Sequence, residues 1–152
     1  MDRLAFPIEQ YIPHRGAMRL IDRLIEAGEE HAVAEADVPD EGLFVRDGSV
    51  PAWVGIEYMA QTIAAWSGAR DLAEGREPRQ GMLLGTRRYH AAVSDFVPGM
   101  VLRVEAHQEF VADNGLGMFE CRIFQQDTEL ATARLSVFVP EAGTSLLKGV
   151  SP

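Results

Sequence analysis

Cysteine is nearly absent. Cys121 is the only one in 152 residues, so no internal disulfide can form and no thiolate cluster can hold a metal. Its surroundings, Met118-Phe-Glu-Cys-Arg-Ile-Phe124, alternate in the manner of a strand, and the thiol reads as a small buried apolar group rather than a nucleophile. Also missing is any run of the roughly 18 apolar residues that a membrane span needs. The opening MDRLAFPIEQ has an acid at its second position and no apolar core of signal-peptide length, so a soluble, cytoplasmic chain is expected. Positive charge is the third shortage. With 14 Lys and Arg against 23 Asp and Glu the net charge is -9, which argues against a nucleic-acid partner, because phosphate binding needs a basic face. Only Arg70, Arg76, Arg79, Arg87 and Arg88 make a local basic stretch.

What is present is ordinary globular composition, 47% hydrophobic and 24% charged, in a length that suits one domain. Residues 1–140 are expected to form that domain, and 141–152, small and ending on proline, a loosely ordered tail. The segment from Met18 to Ala27 and the alternating segment from His31 to Val38 read as a hairpin. Residues 39–50 are turn-rich. From there Trp53, Ile56, Met59, Ala60, Ile63 and Ala64 recur at spacings of three and four, which predicts one long helix over about 52–73 with an apolar stripe. Four strand-like segments follow, 82–89, 101–111, 117–126 and 130–139, separated by turn signals such as Pro98-Gly99 and Asn114-Gly115. Two strands, a helix and an antiparallel meander give an α+β domain in which the sheet must wrap the helix. Such a sheet leaves an edge strand, and a dimer formed through it is expected.

Ile12-Pro-His-Arg15 followed by Met18-Arg-Leu-Ile-Asp-Arg23, then Glu57-Tyr-Met-Ala-Gln61, then Gly85 and Val97-Pro-Gly99, occur in one order along the chain. In that order they resemble the hotdog 3-hydroxyacyl-acyl carrier protein dehydratases. The resemblance implies a hotdog fold, an antiparallel sheet around one long central helix, and a thioester-linked acyl substrate on a carrier protein. It also implies a site at a subunit interface. That family reads GHFPGxPxxPGVLxxEAMAQ in its middle stretch, with the histidine and the glutamate as the catalytic pair. Here the glutamate is Glu57, but the histidine position falls on Leu43, which can move no proton. The chain is similar in this to a divergent branch, the predicted dehydratases of aryl-polyene pathways, some of which work beside a second dehydratase subunit. A homodimer, or a heterodimer with another hotdog dehydratase, is therefore implied, with no cofactor and no metal.

Glu57 sits on the apolar stripe, where desolvation is expected to raise its pKa and suit it to donating a proton; the alternative is a glutamate buried for structure. The missing base must be His14, His31, His90, His107 or a carboxylate such as Asp47. His14 lies in the stretch most similar to the family and is the leading choice, although it fits equally a residue that orients its loop. Pro51 and Ala52 at the helix start place main-chain amides where a thioester oxygen can be held, or are simply a helix start. Phe44, Trp66 and Phe96 line an acyl tunnel or are plain core, and Trp53, Gln61 and Gly85 are counted with Phe44 as substrate contacts. The five arginines meet a pantetheine phosphate and an acidic carrier surface, or are solvated charge. The leading reading is a carrier-protein dehydratase. A non-catalytic or weakly catalytic partner subunit and an acyl thioesterase are the alternatives.

Overall fold

A computed structural model describes residues 6–79 and 81–139; the expected tail lies outside the described residues. The chain forms a hotdog fold, in which one long helix, α1 (Gly55–Ala73), lies in a six-stranded antiparallel sheet. The strands are β1 (Arg23–Ala27), β2 (His31–Asp37), β4 (Met82–Ala91), β6 (Val101–Val111), β7 (Leu116–Gln125) and β8 (Thr128–Phe138), in the order β1-β2-β6-β7-β8-β4. A separate two-stranded ladder joins β3 (Val50–Pro51) to β5 (Asp95–Phe96).

Period-two burial explains why the sheet wraps the helix. Ala32, Ala34 and Ala36 of β2, Leu102, Val104 and Ala106 of β6, Phe119, Cys121 and Ile123 of β7, and Ala131, Ala133, Leu135 and Val137 of β8 all turn inward and are buried. Against them α1 presents Tyr58, Met59, Ile63, Ala65 and Trp66. Tyr58 meets Phe96 edge-on at 5.8 Å between ring centroids, and Trp66 meets Phe119 at 5.1 Å. Gly68 is in the helix because the N-terminal segment crosses it there: a Cβ would collide with the carbonyl of Tyr11. That close crossing brings the segment carrying His14 onto the helix.

Two expectations need correcting. The sheet is not a simple meander, because β4 skips β6 and pairs with the far side of β8. Register along a sheet is a matter of contacts distant in sequence, which local patterning does not encode. Trp53 is not part of the buried stripe either. It precedes α1 in a 3-10 turn, Ala52–Val54, and is 60% exposed. No helix of the described residues is long and apolar enough to cross a membrane.

Candidate active site

The site is assembled from the N-terminal loop and the first turn of α1. The loop is shaped by Arg15, whose guanidinium donates to the carbonyls of Glu9 at 2.7 Å, Ile12 at 2.6 Å and His14 at 2.9 Å. Three charge-assisted bonds to one short stretch of main chain fix its path. Arg15, not the imidazole, is thus what orients this loop, and the motif Ile12-Pro-His-Arg15 marked it in the sequence. The His14 ring is then free of that duty. Its Nε2 lies 3.8 Å from Oε1 of Glu57, while its buried Nδ1 has no hydrogen-bond partner among the described residues. Burial lowers the His14 pKa below its ordinary 6.5; the charge of Glu57 opposes this and Arg15 adds to it. The ring is therefore neutral near pH 7 and has a nitrogen able to accept a proton.

Glu57 is held by Gln61, one helical turn on. Gln61 is wholly buried, and its oxygen accepts from the main-chain N–H groups of Leu20 at 2.8 Å and Ile21 at 3.3 Å. Two donors on one side fix the amide orientation, so its nitrogen faces Met18 O at 2.7 Å and Glu57 Oε1 at 3.1 Å. Gln61, expected as a substrate contact, instead ties the carboxylate to the strand-1 approach. The enclosure expected for Glu57 is not found, since its side chain is 32% exposed and faces a cavity.

That cavity, about 160 Å³, is lined by Pro13, His14, Glu57, Ala60, Ile63, Ala64 and Ser67 from the N-terminal loop and α1, and by Arg79, Gly81, Met82, Leu83, Val137 and Val139. Phe44, Pro51, Ala52, Trp53, Gln61 and Gly85 are not among its walls. The Ala52 amide is already bonded to the carbonyl of Ser94 at 2.9 Å, which removes it as an oxyanion donor. Phe96 is fully buried core, and Phe44 packs against the core from the side. Trp66 is core too, bonded through its indole N–H to Gly28 O at 3.1 Å, but it also borders a second cavity of about 260 Å³, which shares Ser67 and Arg79 with the first. Of the other candidate bases, His31 is paired with Glu26 at 3.5 Å, His90, His107 and Asp47 are exposed, and none borders the cavity of Glu57. Cys121 is sealed in the core, where burial holds its thiol far above the ordinary value.

The arginines divide. Asp71, wholly buried, accepts from Arg76 at 2.7 Å and from the main chain and guanidinium of Arg79 at 2.9 and 3.1 Å. Burial alone would raise its pKa, and the bonds from Arg79 and Arg76 outweigh that, so the carboxyl stays below its usual range. Leaving such a charge unpaired costs about 3–5 kcal/mol, so these two arginines serve the fold of the loop after α1. Arg70 lies over the Trp66 ring at 5.0 Å, and Arg87 and Arg88 are exposed on β4.

The fold thus sets a proton-accepting imidazole beside a carboxylate on one cavity. Residues 6–148 match the family model for ApeP-like proteins, described as ApeP dehydratase. The chain belongs to the ApeP-like dehydratase family. Its chemistry is that of a hydro-lyase. Among solved structures this ApeP-like chain is similar to one in the dehydratase heterocomplex ApeI:P from Xenorhabdus doucetiae, at 30% identity over 98% of this chain and 100% of that one, with a TM-score of 0.86. The fold alone is shared with a hypothetical thioesterase crystallised with coenzyme A from Streptococcus pneumoniae, at 11% identity, 80% and 88% coverage and a TM-score of 0.62. It is shared also with the E. coli PaaI protein of the phenylacetic acid degradation operon, at 14% identity, 76% and 81% coverage and a TM-score of 0.59. No curated protein matches the sequence.

Proposed function

We propose that this ApeP-like protein removes water from a 3-hydroxyacyl thioester borne by an acyl carrier protein. His14 is the base and Glu57 the acid. The observation that carries the reading is the 3.8 Å approach of His14 Nε2 to Glu57 Oε1, made within one chain although Leu43 occupies the usual histidine position. Neutral His14 takes the α-proton of the thioester. In the reacting form the one proton that the pair shares sits on Glu57, which gives it to the departing 3-hydroxyl as water leaves. The proton on His14 then returns to Glu57 across the same short gap.

The partner reading rests on the β4 edge. Met82 and Leu83, 45% and 39% exposed, line the cavity and continue into exposed Leu84. An apolar edge strand beside a site favours pairing, and a second hotdog dehydratase docked there would close the cavity; the similar chain from Xenorhabdus doucetiae belongs to a dehydratase heterocomplex. Contact with the pantetheine phosphate or the carrier falls to Arg70, Arg87 and Arg88, since Arg76 and Arg79 already hold Asp71. A cytoplasmic setting belongs to the same reading.

The test is to incubate the purified chain, alone and with a second hotdog subunit, with a short 3-hydroxyacyl carrier-protein thioester and identify the product by mass spectrometry. Loss of one water with the thioester intact is expected. Release of free acid would make the protein a thioesterase, and no change in either mixture would leave it a structural subunit.

A further inference from the structure

The edge strand β4 breaks its own alternation. Arg87, Arg88 and His90 are all exposed, while Tyr89 between them turns inward. Register against β8 slips between Arg87 and His90, and Arg88 adopts the left-handed conformation with φ 54. A bulky residue there is strained, and bulges of this kind re-aim a side chain at the cost of regular pairing. What the bulge achieves is a contact with the start of α1. The Tyr89 hydroxyl donates to the Ala52 carbonyl, in the 3-10 turn that leads into the helix. The same hydroxyl occupies the space above Gly55. A Cβ on Gly55 would collide with it, and would stand 3.0 Å from the ring carbon Cζ and 3.2 Å from Cδ1 of Ile123. The backbone of Gly55, at φ -51, asks for no glycine. Space for Tyr89 does. Gly55 is the first residue of α1 and stands two positions before Glu57.

We infer that Tyr89 is a positioning residue, which locks the first turn of α1 and through it aims Glu57 at His14. The inference rests on the reading of Glu57 and His14 as the reacting pair. Burial raises the phenol pKa to about 12, so the hydroxyl remains a donor throughout the working range. Because the ring closes over Gly55, the bulge, the tyrosine and the glycine form one device that joins the edge strand to the site.

Tyr89→Phe removes the hydrogen bond and keeps the ring. In the assembled protein it should lower kcat by roughly ten- to a hundredfold, the loss that follows a misaim of about 1 Å, with KM little changed. Gly55→Ala alone should lower both kcat and melting temperature, and in the double variant the melting temperature should return to that of Tyr89→Phe with kcat no lower than in Tyr89→Phe, because the clashing oxygen is gone. A readout independent of turnover is the NMR titration of His14. Released from its neighbour Glu57, the imidazole should titrate at lower pH in Tyr89→Phe than in the wild type. Additive single and double variants would overturn the contact. An unshifted His14 titration, or a lower melting temperature with kcat unchanged, would overturn the positioning role. Should no form dehydrate the substrate, the proposed reaction fails, while the double-variant coupling and the His14 titration still decide this inference.

Discussion

Glu57→Gln is expected to lower dehydration by the assembled protein about a hundredfold or more, the usual worth of a positioned acid, with melting temperature nearly unchanged. Both halves of that expectation come from the surroundings of the carboxylate. Glu57 accepts one bond from Gln61 Nε2 at 3.1 Å, and the carbonyl oxygen of a glutamine can accept the same bond. The side chain is 32% exposed and borders the cavity, so it is not committed to the core. The amide keeps shape and hydrogen bond but has no proton of carboxylic acidity to give to a leaving hydroxyl. A variant that folds, melts as the wild type and yet turns over at the wild-type rate would remove Glu57 from the reaction.

His14→Ala should cost a similar factor, and it carries a pH signature. The base must be neutral to act, and burial keeps the His14 pKa below 6.5. The acid-side fall of kcat/KM should therefore lie below pH 6.5 in the wild type and be lost from the residual activity of the variant. The same shift makes a statement about stability. The unfolded chain takes up a proton near pH 6.5 before the folded one does, so the wild type should lose stability as pH falls from about 6.5. His14→Ala should flatten that part of the stability curve. A kcat/KM profile whose acid side is identical in both proteins would exclude the imidazole as the base.

Much of this architecture is written locally. The helix is announced by its spacings and ends where Gly75 approaches, and β6 spans the residues that alternation marks, Val101 to Val111. What sequence pattern could not convey is held across space. The placing of β4 beside β8 depends on partners some fifty residues away along the chain, as Arg87 with Arg134 shows. The ladder of β3 and β5 has only two residues a side, too few to show a period. Trp53 has helical spacing from the apolar row yet falls before the first full turn, where a 3-10 geometry swings it outward. At the site, Glu57 and His14 were legible as types in a motif, but their meeting is the work of Arg15 and Gln61. Gln61 stands one turn from Glu57, a spacing visible in the sequence, while its bonds to Leu20 and Ile21 are not. Tyr89 gave no signal at all, because it sits among arginines in a strand that otherwise faces out.

The central claim is that the reacting pair lies in this chain and not only in a partner. The most direct measurement uses a complex of this chain with a second hotdog dehydratase subunit whose own catalytic histidine and glutamate have been replaced. Turnover of a 3-hydroxyacyl carrier-protein thioester is followed with wild-type, His14→Ala and Glu57→Gln forms of this chain. The account predicts that the wild-type chain sustains dehydration beside the silenced partner and that either substitution abolishes it. If silencing the partner ends all activity, while both variants of this chain support wild-type rates beside an intact partner, the chemistry belongs to the partner.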